Sequence, residues 1–213
     1  MAYPRSLCAF LVLALLGGCQ SAYYSTMEKF GFEKRDILVD RVEEARDAQV
    51  ETKETFRDTL EEFSALIDYD GGDLEQLYDR LRDGLEDSEE AAEGIGSRIE
   101  SVASVARDLF AEWEEELEQY TSASLRRASA DQLEDTRERY EELIAAMRQA
   151  ESRIEPVLGK FRDQVLFLKH NLNARAVASL DAETRSIQND VEILIEEMED
   201  AIAEADAFIA AMQ

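Results

Sequence analysis

LEQLYDRLRDGLEDSEEAAEGIGSRIESVASVARDLFAEWEEELEQY, residues 74–120, is the stretch that decides the fold. Alternate steps of four and three residues from Leu74 land on Tyr78, Leu81, Leu85, Ser88, Ala92, Ile95, Ile99, Val102, Ala106, Leu109, Trp113, Glu116 and Tyr120. Ser88 and Glu116 alone interrupt this apolar seam, which lasts about six heptads. A seam of that period is the mark of a long helix that buries one stripe against partner helices. Gly84, Gly94 and Gly96 lie off the seam, and each weakens a helix by about 1 kcal/mol relative to alanine.

Working outward, the same stepping recurs. Leu133, Thr136, Tyr140, Leu143, Met147, Ala150, Ile154, Val157 and Phe161 form a second seam. Its phase runs through Pro156, which predicts a kink within one helix rather than a break, although proline costs about 3 kcal/mol inside a helix. Leu180, Thr184, Ile187, Val191, Leu194, Met198, Ala201, Ala205, Phe208 and Met212 form a third. Leu38, Val42, Ala45, Phe56, Phe63 and Leu66 form a fourth, with Gln49, Thr52 and Thr59 at polar positions in it. Polar seam residues cost stability and help to fix register.

Turn signals separate the segments. Asp68-Tyr69-Asp70-Gly71-Gly72 reads as a turn, and Asp73 with Gln76 reads as a capping box. Thr121 to Asp131 is small and polar, with Ser129 or Asp131 as the next N-cap. Asn171 to Ser179 is the last break. The helices are therefore expected at about 22–67, 73–120, 131–175 and 180–212. Short connections favour antiparallel neighbours. The expected fold is all-α: an elongated antiparallel bundle of about four long, coiled-coil-like helices.

Acidic residues number 49 against 23 basic, for a net charge of −26. Such a surface repels nucleic acid, whose binders neutralise phosphates with Lys and Arg. No phosphate-loop motif for a nucleotide is present. The two cysteines are Cys8 and Cys19, and the one histidine is His170, too few for a zinc site. The residue three before His170 is Phe167, not the glutamate of a di-iron bundle. The Asp68–Asp73 turn lacks the glycine and the terminal glutamate of a calcium loop. No cofactor or metal is expected, and no enzyme: the polar seam residues Gln49, Thr52, Thr59, Ser88, Glu116, Thr136 and Thr184 are scattered along the chain.

The N-terminus speaks about location. Leu7 to Leu16 is an apolar run too short to span a bilayer, with Arg5 before it, as in a signal peptide. The run closes on Leu16-Gly17-Gly18-Cys19, which resembles the lipobox of bacterial lipoproteins. The resemblance implies removal of residues 1–18, then a diacylglyceryl thioether and an N-acyl chain on Cys19. Residues 19–213 would then form a single periplasmic domain. Gln20, not aspartate, follows the cysteine, so the periplasmic face of the outer membrane is expected rather than the inner membrane.

An up-down-up-down bundle would place Cys19, Arg126 and Arg127 at the lipid-proximal end. The distal tip would carry Phe167, Lys169, His170, Asn171, Leu172, Asn173 and Arg175, the residues expected to meet a partner: an envelope protein or a second copy. The expected function is a non-catalytic spacer or interaction scaffold. The alternative is a binding module holding a lipid or apolar ligand between helices, in which Tyr23, Tyr24, Phe30 and Phe32 line a cavity.

Tyr23-Tyr24-Ser25-Thr26-Met27-Glu28-Lys29-Phe30-Gly31 onward to Arg46, Ser124-Leu125-Arg126-Arg127, and the run Phe161 to Arg175 (FRDQVLFLKHNLNAR) together resemble an uncharacterised bacterial family, the domain of unknown function 2959. The resemblance spans nearly all of the chain after Cys19. It implies a helical, envelope-associated protein and supplies no activity or catalytic residue.

Overall fold

The computed structural model describes residues 34–66 and 73–213. Cys19, the aromatic residues Tyr23 to Phe32 and the Asp68–Gly72 turn lie outside the described residues. The helices are α1 (Lys34–Ser64), α2 (Leu74–Ala92), α3 (Ile95–Leu117), α4 (Ala123–His170), α5 (Ala174–Ser179) and α6 (Asp181–Met212). No strand occurs among the described residues.

Four rods result, because α2 and α3 together make one of them and α5 only precedes α6. α1 packs against α6 on one side and α2 and α3 on the other; α4 does the same from the opposite corner. Cross-rod pairs fix the directions. Arg46 pairs with Asp206 and Lys53 with Glu199, so α1 and α6 run antiparallel. Arg148 pairs with Glu100 and Arg137 with Glu114, so α3 and α4 do as well. Arg153 pairs with Glu197 across α4 and α6. Thr52 and Thr59 reach Ala91 and Gly84 respectively across α1 and α2. The bundle is up-down-up-down. Exposed ion pairs of this kind contribute about 0–1 kcal/mol each, so burial supplies the stability. With 48 residues, α4 is about 72 Å long.

The seams read from the sequence form one continuous core. Phe56, Phe63 and Phe161 are fully buried, and Phe63 stacks on Phe161 with centroids 4.3 Å apart, joining α1 to α4 across the diagonal. Pro156 sits exposed inside an unbroken α4. Its missing N–H deprives the Ser152 carbonyl of an intrahelical donor on the exposed side of the helix.

Three expectations are corrected. The second rod is not one helix: Gly94 takes φ +86°, ending α2 and starting α3. A left-handed residue cannot propagate a right-handed helix, so this glycine breaks where Gly84 and Gly96 merely weaken. The third helix begins at Ala123, not near 131, with Ser122 as its N-cap; Ser129 instead accepts a hydrogen bond from Trp113 Nε1 at 2.8 Å. The polar seam residues are also less scattered than they read. Thr59 Oγ1 and Ser88 Oγ lie 2.9 Å apart, and Gln164 Nε2 donates to Thr184 Oγ1 at 3.2 Å. Asp73 caps α2 as expected, its Oδ1 accepting from the N–H of Glu75 and Gln76.

Candidate functional site

The two ends of the bundle differ in chemistry. At the end reached by α4's C-terminus, the helix stops because Asn171 leaves helical geometry. The Asn171 N–H donates to the carbonyl of Leu168 at 3.0 Å, and its Nδ2 donates to the carbonyl of Phe167 at 2.8 Å. Two residues on, Asn173 Oδ1 accepts from the Ala176 N–H at 3.1 Å and starts α5. These two asparagines satisfy the orphan groups of successive helix ends. Buried Leu168, Ala176, Val177 and Leu180 pin the turn to the core.

That anchoring leaves the neighbouring side chains outside. Phe167 is 38% exposed, Leu172 42% and Leu166, which the sequence reading missed, 59%. Lys169, His170 and Arg175 are also exposed and make no ion pair among the described residues. Lys169 and His170 fall in the last turn of α4, where the Lys169 ammonium complements the negative end of the helix dipole. Of the seven tip residues picked from sequence, Phe167, Lys169, His170, Leu172 and Arg175 therefore share one accessible end. Asn171 and Asn173 are engaged in building its turn. Leu166 was hidden because it lies two residues from either neighbouring seam position, Gln164 and Leu168, where an apolar side chain is conspicuous only once burial is known.

At the opposite end, α1 starts and α6 stops beside the α3–α4 hairpin. Lys34 pairs with Glu112 at 2.9 Å, and Arg35 donates to the carbonyl of Met212. Trp113 borders a cavity of about 210 Å³ there, together with Leu109, Gln132, Thr136 and Met212.

Elsewhere the grooves are open. An acidic one runs between α1 and α2 and is lined by Glu51, Asp58, Glu62, Asp83, Asp87 and Glu90, among others. Among the described residues no three His, Cys, Asp or Glu side chains gather as a metal ion requires. On the α2–α4 face, Arg162 binds Glu155 at 2.6 Å and also Glu89. Hydrogen bonds to both carboxylates raise its pKa further, and its guanidinium holds the Glu155 carboxyl below the usual range. This clamp sits on the bundle's flank and joins two rods.

A family model described as "Protein of unknown function (DUF2959)" matches residues 23–212. The chain belongs to this family. This member of DUF2959 is all-α, folded as an antiparallel bundle over its described residues. No curated protein and no solved structure matches the chain. No helix among the described residues is long and apolar enough to cross a membrane.

Proposed function

We propose that this DUF2959 protein is a membrane-anchored periplasmic lipoprotein, held at the outer membrane through acyl chains on Cys19. It acts as a non-catalytic helical spacer or interaction scaffold. The observation that carries this reading is polarity of position. The chain leading from Cys19 enters α1 at one end of the rod, and the exposed side chains of Leu166, Phe167, Lys169, Leu172 and Arg175 cluster at the other. Two or more acyl chains suffice for stable anchorage. The tip pairs apolar area (Leu166, Phe167, Leu172) with positive charge (Lys169, Arg175), the composition of a contact surface with an aromatic anchor.

The test is a pair of variants compared in fractionated cells. Cys19→Ser is expected to lose acyl labelling and leave the membrane fraction. Phe167→Ser with Leu172→Ser is expected to stay membrane-bound and lose its envelope protein partner. Retention of Cys19→Ser in the membrane would overturn the anchorage.

A second reading, an apolar ligand held between helices, is favoured by the Trp113 cavity. It predicts a lipid or other apolar molecule co-purifying with the chain and displaced by filling that cavity.

A further inference from the structure

We infer that α2 is a displaceable helix: it opens about Gly94 while α1, α3, α4 and α6 stay packed, and the charge on its two flanks sets how often it opens. This opening is a property of the fold and does not depend on the anchorage at Cys19.

Few apolar side chains hold α2. Of its 19 residues, Leu77, Leu81 and Leu85 are the buried apolar ones, joined by the buried hydroxyl of Ser88. α3, with 23 residues, buries eight, all apolar. Hydrophobic stabilisation follows the apolar area removed from water, so α2 is the weaker half of its rod. The rest of its hold is polar. Thr52 and Thr59 on α1 donate to the carbonyls of Ala91 and Gly84. Arg80 pairs with Glu62 on α1 at 3.0 Å, and Arg162 on α4 pairs with Glu89. Both ion pairs are exposed and contribute little.

The boundary with α3 supplies the hinge. Gly94 takes φ +86°, and no side chain caps α3 there. The α2 ladder ends with the Glu93 N–H on the carbonyls of Glu89 and Glu90, and the α3 ladder begins with the Arg98 N–H on the carbonyl of Gly94. The two ladders meet at a residue with no Cβ to restrict its rotation. A hinge is a residue of this kind, absorbing the backbone change at the end of an element.

Like charge lies on both flanks. The open groove between α1 and α2, about 840 Å³, is lined by eight carboxylates and two guanidiniums, Arg80 and Arg98. The groove between α2 and α4, about 660 Å³, is lined by six carboxylates and one guanidinium, Arg162. α2 itself carries seven acidic residues against Arg80 and Arg82. Closing α2 brings these like charges together and opening separates them. Salt weakens the repulsion and the two ion pairs alike. The carboxylates outnumber the pairs, so the net effect of salt is to close α2.

The core decides what opening uncovers. Leu81 and Leu85 share one apolar cluster with Phe63 and Phe161. Displacing α2 therefore bares the stacked rings of α1 and α4, and low ionic strength favours that state. Such local opening needs less free energy than global unfolding.

The experiment is amide hydrogen exchange read by mass spectrometry on the full-length chain. It compares about 0.01 M with about 1 M NaCl, between which the screening length falls from about 30 Å to about 3 Å. At low salt, peptides from 74–92 should exchange about tenfold faster than those from 95–117, relative to their intrinsic rates. High salt should slow 74–92 severalfold more than 95–117. Equal protection of the two helices would overturn the opening, and equal responses to salt would overturn its control by charge. Asp83→Asn with Asp87→Asn and Glu90→Gln removes three exposed charges from α2 without touching the core. In this variant 74–92 should exchange more slowly than in the parent at low salt and respond less to salt. Exchange at the parent's rate would likewise overturn the charge control.

Discussion

Thr59 on α1 and Ser88 on α2 share one acceptor. Their hydroxyl oxygens lie 2.9 Å apart, and each is 2.9 Å from the carbonyl oxygen of Gly84. An added Cβ at Gly84 would sit 3.3 Å from Thr59 Oγ1, so glycine permits the close approach that lets a threonine reach a backbone carbonyl on the neighbouring helix. One heptad back on α1, Thr52 Oγ1 reaches the Ala91 carbonyl at 2.8 Å. Two polar seam residues of α1, Thr52 and Thr59, are thus cross-links to α2.

Thr59→Val is expected to cost about 1 kcal/mol, the net value of a buried hydrogen bond. Ser88→Ala should cost a similar amount. The double variant should cost less than the sum, because each hydroxyl loses the other as partner. Thermal or denaturant melts of the four proteins check this; strict additivity would contradict the shared site.

Gln49 takes the opposite sign. It is 1% exposed, and neither Oε1 nor Nε2 has a hydrogen-bond partner among the described residues. Burying an amide unpaired costs about 1–3 kcal/mol. Gln49→Leu, close in volume, should therefore raise stability by about 1–2 kcal/mol. A fall in the melting midpoint would mean that Gln49 is hydrogen-bonded after all.

Gly94 is the residue that ends α2. At φ +86° an added Cβ would meet Arg98 Nη1 at 2.8 Å. The arginine tip can move, so the backbone conformation sets the cost. Gly94→Ala should destabilise by about 1–2 kcal/mol. Gly96→Ala brings a Cβ against Glu151 Oε1, again a movable side-chain end, but without the positive φ. It should cost less, and an equal cost by denaturant melts would contradict the assignment of the break to Gly94.

These residues show what the sequence disclosed and what it withheld. The seams were legible because burial of one stripe imposes a countable period, and Leu74 through Trp113 obeys it. The break at Gly94 was not, because the heptad phase passes through it undisturbed: Ala92 and Ile95 both stay on the seam. The start of α4 was misplaced because small polar residues after Ser122 mimic a loop; they are helical and exposed. At the tip, Phe167 to Arg175 was legible as a helix end bearing apolar and basic groups. Which of them face out depended on the Asn171 and Asn173 caps, and these are set by backbone geometry.

Tyr140 supplies a pH dependence. It is half-buried against Phe110, ring centroids 5.5 Å apart. Burial raises its phenol pKa above the ordinary value; Arg148 and Arg107 pull it down, and Glu100 and Glu141 push it up, to a lesser degree. The folded state therefore holds the proton more tightly than the unfolded chain. That contribution to stability is full below the ordinary tyrosine pKa and is lost as pH rises through the folded value. Tyr140→Phe should lose less thermal stability than the parent on moving from neutral to strongly alkaline pH. Equal losses would contradict the assignment.

The most direct test of the spacer reading is crosslinking in intact cells from a photoreactive residue at Leu172, with the same residue at Glu115, near the opposite end, as control. The account predicts that one defined envelope protein, or a second copy, is captured from Leu172 and not from Glu115. Capture of the same species from both positions, or of none from Leu172, would contradict it.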